Sequence, residues 1–261
     1  LNRYDGAKFT IYKHEPNNEH SLAHNFVRTV FEDSKGHLLI GTYIGIQMYD
    51  PATDNFTPLA KLEDTGETLE SNINSFIERK NGEIWVSGNV LCKLDIKDHL
   101  LTVRKVDIAV TSPGSLFEDK KQNVWMAKGE EGVYQLTPDN QLTLHLSKDN
   151  GYVKSICEDQ RGNIYVGSIR KGLFIYDKER KTFVPVDLKE KGELPVCFLY
   201  SGIPNELYIG TDGKGVAIYN IRTHEISEYK FDNNYFDSGN SKIHSILKDN
   251  SGNLWLAVYQ K

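Results

Sequence analysis

Histidine and serine residues are the first candidates for chemistry in this sequence, because they serve as metal ligands and as activated nucleophiles. The eight histidines lie at positions 14, 20, 24, 37, 99, 145, 224 and 244, and none falls in an H-E-x-x-H or H-x-H arrangement. No G-x-S-x-G segment is present to expose a serine nucleophile. The sequence therefore predicts no catalytic residue, no metal site and no cofactor.

Four aspartates occupy the same position in recurring segments, and paired carboxylates could hydrolyse glycosidic bonds. They are Asp33, Asp119, Asp159 and Asp249. A glycosidase needs one close pair of carboxylates, whereas these residues occur once in each recurring segment, beside glycine, serine and asparagine. We interpret them as structural residues that shape a turn.

Three cysteines and one glycine-rich segment complete the search for chemistry. Cys92, Cys157 and Cys197 each lie in an apolar run with no C-x-x-C pair, which predicts buried core thiols. The segment 210–215, GTDGKG, joins two predicted strands and opens no helix, so it lacks the helix dipole of a phosphate-binding loop. We predict a simple turn there.

Composition limits the partners of the chain. It has 261 residues, 39% of them hydrophobic, with 31 basic and 36 acidic residues and a net charge of -5. This balance argues against binding nucleic acid or an anionic membrane surface. There is no signal peptide and no run of roughly 20 apolar residues that could span a bilayer. Because it opens on Leu1, we expect a processed or excised piece.

An internal repeat reveals the elements that would position a site. Residues 32–50 read EDSKGHLLIGTYIGIQMYD and residues 158–177 read EDQRGNIYVGSIRKGLFIYD. A short apolar segment recurs at intervals of 46, 40, 40, 43 and 47 residues. Its central residues are Leu39, Trp85, Trp125, Tyr165, Tyr208 and Trp255. Such a period indicates a repeat architecture. Apolar segments of four to six residues, bounded by glycine, asparagine and aspartate, predict strands rather than helices.

Each repeat reads as four short strands, named A to D in chain order. In the first complete repeat, strand A covers 27–33, a turn at 34–36 leads into strand B, and strand C covers 46–50. Strand D is a weaker segment, expected at the solvated outer edge. Its centres in successive repeats are Phe56, Leu100, Leu142, Phe183 and Ile226.

The B strands indicate how the repeats pack. They are apolar at consecutive positions, so both faces of each sheet must be covered. Sheets stacked around an axis meet this requirement. We therefore predict an all-β fold, a single β-propeller of four-stranded antiparallel blades over 1–261. Full blades are expected at 25–60, 72–106, 112–146, 152–186 and 195–231, with half-blades at 1–12 and 243–261. This set fits six-bladed closure or part of a seven-bladed ring.

The recurring segments resemble a known family. The D-x-x-G turn, the strand pattern (L/I)(W/Y)(I/V)G(T/S), a Gly-Leu step and a closing Tyr-Asp are similar to the two-component regulator propeller repeat, over essentially the whole chain. Residues 1–33 resemble the first blade in the periplasmic sensor region of Bacteroides-type hybrid two-component system histidine kinases. The resemblance implies a non-enzymatic periplasmic domain that detects oligosaccharides and signals to a histidine kinase outside this chain.

The resemblance also implies partners and leaves alternatives. Expected partners are an oligosaccharide, the neighbouring propeller and linker domains of the parent sensor, and a second copy in a receptor dimer. One alternative is a propeller lyase resembling the streptogramin-inactivating type, which would need a histidine-and-acid or metal cluster at the channel mouth. The other is a scaffold for protein contacts.

Ligand-binding residues are expected on loops, which a rigid scaffold positions for recognition. The B-to-C loops offer Tyr43, Asn89, Lys128, Glu130, Arg170, Lys171, Asp212, Lys214, Tyr259 and Gln260. These cations, carboxylates and aromatic rings suit a polar or anionic oligosaccharide. The first positions of the A strands are expected near the channel mouth and carry Arg28, Asn74, Lys154 and His244. Long D-to-A loops at 13–25, 61–72 and 230–242 are further candidates, as ligand lids or as surfaces that meet a second domain.

Overall fold

A computed structural model describes residues 1–146, 151–188, 194–231 and 241–260. The chain forms two compact units, Leu1–Leu116 and Phe117–Lys261. The regular elements in the described ranges are all β-strands, in five larger sheets and two two-stranded sheets. This confirms an all-β propeller fold with five complete blades and two half-blades. Within those ranges, no helix is long and apolar enough to cross a membrane.

The first unit begins with a half-blade and a complete blade. The half-blade consists of β1 (Asn2–Tyr4) and β2 (Phe9–Ile11). The blade consists, in sheet order, of β3 (Val27–Glu32), β4 (Leu38–Thr42), β5 (Ile46–Asp50) and β6 (Asn55–Phe56). The hydroxyl groups of Tyr12 and Tyr49 donate hydrogen bonds to Asp54 Oδ1 at 2.6 and 2.5 Å. Because Tyr12 directly follows β2, these bonds hold the half-blade against the blade.

The second complete blade contains a fifth strand. In sheet order it consists of β7 (Lys61–Leu62), β11 (Leu100–Lys105), β10 (Leu91–Lys97), β9 (Ile84–Ser87) and β8 (Ser75–Glu78). Strand β7 runs parallel to β11, with Lys61 opposite Thr102 and Leu62 opposite Val103. The prediction that β11 forms the outer edge is therefore wrong, because the preceding D-to-A segment adds a strand beyond it.

The second unit, as far as it is described, holds three complete blades and a half-blade. The first blade consists of β12 (Leu116–Glu118), which starts at the unit boundary, β13 (Val124–Lys128), β14 (Gly132–Leu136) and β15 (Leu142–Leu146). The second consists of β16 (Val153–Glu158), β17 (Ile164–Ser168), β18 (Gly172–Asp177) and β19 (Thr182–Pro185). The third consists of β20 (Val196–Ile203), β21 (Glu206–Thr211), β22 (Val216–Asn220) and β23 (Ile226–Glu228). The half-blade consists of β24 (Ser241–Lys248) and β25 (Leu254–Gln260).

The B strands form the core of each complete blade. Strands β4, β9, β13, β17 and β21 are buried at nearly every position, which confirms that both faces of these sheets are covered. Trp125 is 1% exposed. Strand β25 differs, because Trp255 at the equivalent position is 53% exposed. The half-blade therefore lacks the cover that a complete blade has on this face.

The glycine in each Gly-Thr or Gly-Ser step allows neighbouring blades to approach closely. A Cβ atom on Gly41 would lie 2.6 Å from Cγ2 of Ile73, which lies two residues before strand β8 of the next blade. In the second unit, a Cβ atom on Gly210 would lie 2.7 Å from Ile243 Cγ2. Real Cβ atoms do not pack at such distances, so the repeat requires glycine where one blade abuts the next.

The recurring aspartates close the A-to-B turns, as predicted. Asp119 Oδ1 accepts hydrogen bonds from the backbone N–H groups of Lys121 and Asn123, at 2.8 and 2.9 Å. Asp119 Oδ2 accepts hydrogen bonds from Asn123 Nδ2 and Trp125 Nε1, both at 2.8 Å. The same pair of backbone hydrogen bonds is accepted by Asp33, Asp159 and Asp249.

Two further predictions from the sequence are confirmed. Cys92, Cys157 and Cys197 are buried thiols, and burial raises the pKa of Cys92 to about 11 and that of Cys157 to about 12. The segment 210–215 connects β21 to β22 as a turn.

Candidate functional site

A cleft of about 660 Å³ opens beside the B-to-C turns of the first unit. We call it the Tyr43 cleft. Its lining consists of Tyr43, Ile44, Leu59, Thr68, Glu70, Ser71, Asn72 and Asn89. The cleft thus brings together Tyr43 and Asn89, two residues from different blades that the sequence nominated for ligand binding.

The B-to-C turn after β4 presents Tyr43 to solvent. Thr42 is fully buried, and its Oγ1 donates a hydrogen bond to Gly45 O at 3.1 Å while accepting one from Gly45 N at 3.2 Å. The backbone N–H of Tyr43 donates to Phe26 O at 3.1 Å. The threonine hydroxyl therefore holds the turn from inside, and the Tyr43 ring remains 54% exposed.

The D-to-A segment between the first two complete blades forms the opposite wall. Its backbone crosses the turn, with Ser71 N donating to Ile44 O at 3.3 Å and Ile73 N donating to Thr42 O at 3.0 Å. A Cβ atom on Gly88 would lie 2.5 Å from Ser71 Oγ. The wall can therefore lie this close to the next B-to-C turn only because residue 88 has no side chain.

An aromatic surface borders the cleft. The Tyr43 ring lies 5.6 Å from the His24 ring and 6.5 Å from the Phe26 ring, between ring centroids. Phe26 is 57% exposed. Exposed rings held by neighbouring rings give a preformed apolar face, which a pyranose ring can cover without further ordering of the protein.

Polar groups complete the cleft. Asn72 Oδ1 is buried and has no hydrogen-bond partner within the described part of the chain. Asn89 lies across from it, and its backbone N–H donates to Ser71 Oγ at 2.9 Å. The carboxylate of Glu70 is exposed at the cleft. An apolar face beside a few fixed polar groups is the usual composition of a small-ligand site.

Sequence analysis missed part of this site. It nominated Tyr43, Asn89 and the loops at 13–25 and 61–72, but not Phe26, nor Glu70 and Asn72 as individual residues. The length of the two D-to-A loops was the sequence signal that could have found the other residues, since His24, Glu70 and Asn72 lie in those loops. Phe26 had no signal of its own, because its position at the start of an A strand suggests core packing.

Two other predicted residues of the first unit lie outside the cleft lining. Arg28 is exposed on β3. Asn74 instead supports the backbone, because its Nδ2 donates to Pro113 O at 3.1 Å.

In the second unit, two of the four nominated cations of the B-to-C loops, Lys128 and Arg170, form ion pairs within the unit. Lys128 Nζ lies 2.8 Å from Glu131 Oε2. Arg170 Nη2 lies 3.0 Å from Glu130 Oε1, with both side chains more than 60% exposed. An anionic ligand would have to compete with these carboxylates, although exposed pairs of this kind are weak.

A second group of cations lies near the start of the A strands. Asp212 Oδ2 pairs with Lys242 Nζ at 3.0 Å. Burial, followed by the positive charges of Lys154 and Lys242, lowers the pKa of His244. The structure thus brings together three nominated residues of this unit, Asp212, Lys154 and His244, and adds Lys242, which the sequence did not single out.

Four nominated residues of the second unit remain, and one of them, Tyr259, lies opposite Lys242 in the pairing of β24 with β25. Tyr259 is 61% exposed on β25, and Gln260 is the last residue of that strand. Lys171 and Lys214 are exposed, and their backbone N–H groups donate to Ser168 Oγ and Thr211 Oγ1 in the turns. Most of the nominated loop 230–242 lies outside the described residues.

A smaller polar cleft of about 240 Å³ lies at the A-to-B turns of the first unit. Glu83 lines it and accepts hydrogen bonds from Lys93 Nζ at 2.5 Å and Trp85 Nε1 at 3.0 Å. Burial would raise the pKa of Glu83, but the hydrogen bonds from Lys93, Trp85 and Asn81 lower it to about 2. Glu83 thereby takes over the indole contact that the turn aspartate makes elsewhere, while Arg79 stacks over the Trp85 ring. We interpret this cleft as structural.

Neither cleft holds a cluster of metal ligands in the described part of the chain. Within the described ranges, no group of three or more histidine, cysteine, aspartate or glutamate residues is placed to hold a metal ion. Glu70 is the one carboxylate among the eight lining residues of the Tyr43 cleft. That lining offers stacking and hydrogen bonding, which are suited to binding.

Comparison with protein families supports this reading of the fold. A family model described as two component regulator propeller matches residues 21–43, 147–170 and 237–260. All three matches include an A strand, an A-to-B turn and a B strand, and the first ends at Tyr43. The chain therefore carries two component regulator propeller repeats. A search of curated proteins found no match.

Solved structures show the same fold at low sequence identity. The extracellular domain of a protein described as a hybrid two component system from B. thetaiotaomicron is 17% identical, with a TM-score of 0.72 over 94% of this chain and 34% of that one. A second such domain from the same organism is 17% identical, with a TM-score of 0.51 over 96% and 39%. The chain thus spans about a third of the length of these two proteins.

A lyase is also similar in fold. The structure of catalytically inactive virginiamycin B lyase from Staphylococcus aureus with quinupristin is 14% identical, with a TM-score of 0.69. The match covers 96% of this chain and 81% of the lyase. At these identities each likeness shows the propeller fold alone.

Proposed function

We propose that the chain is a ligand-sensing propeller of an extracytoplasmic receptor, and that it binds an oligosaccharide in the Tyr43 cleft. The observation that carries the proposal is the exposed Tyr43 and Phe26 rings beside the polar residues of the cleft lining, Glu70, Ser71 and Asn89. A sugar ring has an apolar face that stacks on an aromatic ring and hydroxyl groups that form hydrogen bonds with polar groups of this kind.

The family match supports the sensor role. Two component regulator propeller repeats occupy three segments of the chain, and two hybrid two component system proteins share its fold. In this proposal the chain lies outside the cytoplasm, ligand binding shifts the population of receptor conformations, and a histidine kinase outside this chain responds. Neighbouring propeller and linker domains and a second receptor copy are the proposed protein partners. The chain itself performs no catalysis.

Calorimetric titration of the purified chain with a panel of neutral oligosaccharides tests the proposal. We expect saturable binding that Tyr43→Ala weakens about tenfold, because an aromatic stack contributes on the order of 1.5 kcal/mol. Tyr4→Ala is the matched control, since Tyr4 is 47% exposed on β1 and lies outside the cleft lining.

Two results would contradict the proposal. Binding that Tyr43→Ala leaves unchanged would remove the cleft from the site. A complete lack of glycan binding would instead favour a scaffold for protein contacts. The lyase alternative predicts turnover of a cyclic peptide substrate such as quinupristin, which chromatography of the reaction mixture would detect.

A further inference from the structure

We infer that the Tyr43 cleft selects a sugar unit that is uncharged or carries an amine, and that it discriminates against units bearing a carboxylate or a sulfate. This inference rests on the proposed function and names the ligand class of the same site. It narrows the expectation from the sequence of a polar or anionic oligosaccharide to one without an anionic group at this site.

The first argument is the hydrogen-bonding character of the lining. Glu70 is exposed in the cleft, and its carboxylate only accepts hydrogen bonds. A hydroxyl, an amide N–H or an ammonium group on the ligand can donate to it. The oxygen atoms of an ionised carboxylate or sulfate cannot, because they only accept hydrogen bonds.

The second argument is the charge around the cleft. The eight lining residues include one carboxylate, that of Glu70, and neither lysine nor arginine. The D-to-A segment 61–72, which supplies the wall, has four acidic residues and one lysine. Arg104 Nε lies 4.0 Å from Glu63 and offsets the charge of this one acid, which leaves the segment net negative. An anionic sugar would enter a negative field here, whereas an amine would be attracted.

The third argument is where the nominated cations lie. Lys128 and Arg170 were nominated for a polar or anionic oligosaccharide, and each contacts a carboxylate of the second unit, Glu131 or Glu130. No such cation lines the Tyr43 cleft. The positive charge that would favour an anionic ligand is therefore absent from the cleft lining.

The test compares three oligosaccharides of the same length and linkage that differ at one sugar unit. One carries a hydroxymethyl group, one an amine and one a carboxylate. By calorimetry at low salt, we expect the neutral and amine forms to bind, and the carboxylate form to bind about fivefold or more weakly. Glu70→Gln should reduce this discrimination severalfold, measured as the ratio of the affinities for the neutral and carboxylate forms.

Failure of this inference can be distinguished from failure of the proposed function. If the carboxylate form binds as well as the neutral form, and Tyr43→Ala still weakens it, the inference is wrong and the glycan site stands. If none of the three binds, or binding ignores Tyr43→Ala, the proposed function fails and the inference fails with it. A thermal melt of each variant, matched to that of the unmodified chain, establishes that lost affinity is not lost folding.

Discussion

Removing the carboxylate of Asp119 should destabilise the protein far more than removing that of Asp249, although both make the same set of hydrogen bonds. In each case Oδ1 accepts two backbone N–H groups, and Oδ2 accepts an asparagine Nδ2 and a tryptophan Nε1. The difference is burial, because Trp125 is 1% exposed and Trp255 is 53% exposed. The pair is therefore a matched comparison of one network in two environments.

The magnitude follows from the donors that Asp119→Ala leaves unpaired. Two of them, Asn123 Nδ2 and Trp125 Nε1, belong to buried side chains. Each buried, unsatisfied donor costs roughly 1 to 3 kcal/mol, so the substitution should cost about 2 to 6 kcal/mol. In a unit of this size that lowers Tm by at least about 5 °C. In Asp249→Ala, water can replace the carboxylate, and the change should be a small fraction of this.

Thermal unfolding followed by circular dichroism and tryptophan fluorescence measures both variants. Asp119→Asn is a useful companion, because an amide oxygen retains part of the acceptor capacity and should recover part of the loss. Equal shifts in Tm for Asp119→Ala and Asp249→Ala would refute the reasoning, since burial would then not determine the strength of the turn network.

Three further predictions test other parts of the structure. Because the folded-state pKa of Glu83 is lowered to about 2, its contribution to stability is present above about pH 4.5 and is lost as the pH falls toward 2. Glu83→Gln should therefore destabilise the protein at pH 7, and its denaturation curve should converge on that of the unmodified chain near pH 2. Gly88→Ala places a methyl group against Ser71 Oγ, so it should displace this wall of the cleft and weaken glycan binding. An unchanged affinity would show that this wall is not part of the site. Thiol labelling of the native protein at pH 8 should be slow at Cys92 and Cys157, and mass spectrometry showing rapid labelling would contradict their burial.

The blades could be predicted from the sequence because their signals are local. Consecutive apolar residues in the B strands, an aspartate at four of the A-to-B turns and a Gly-Thr or Gly-Ser step each act within a few residues. The glycine at position 41, for example, is required by the packing of Ile73, which lies two residues before strand β8. A repeat presents the same signal several times. A departure in one copy, such as Arg79 at the position of the turn aspartate, therefore does not hide the pattern.

The site could be predicted only in part, because it depends on contacts between distant loops. Glu70 and Asn72 are ordinary loop residues in the sequence. Their position in the lining of the Tyr43 cleft appears only when the D-to-A segment crosses the B-to-C turn of Tyr43. Strand β7 was missed for the same reason, since two residues of a loop carry no strand pattern until β11 lies beside them. The cations at Lys128 and Arg170 looked suited to an anionic ligand, but their acidic partners are determined by the folded turns.

A crystal structure of the chain with a bound neutral oligosaccharide tests the central claim most directly. We expect the face of one sugar ring to lie over the Tyr43 ring, and a hydroxyl group of the same or the next unit to lie about 3 Å from a carboxylate oxygen of Glu70. A sugar bound against the cations of the second unit, with the Tyr43 cleft occupied only by water, would contradict the claim.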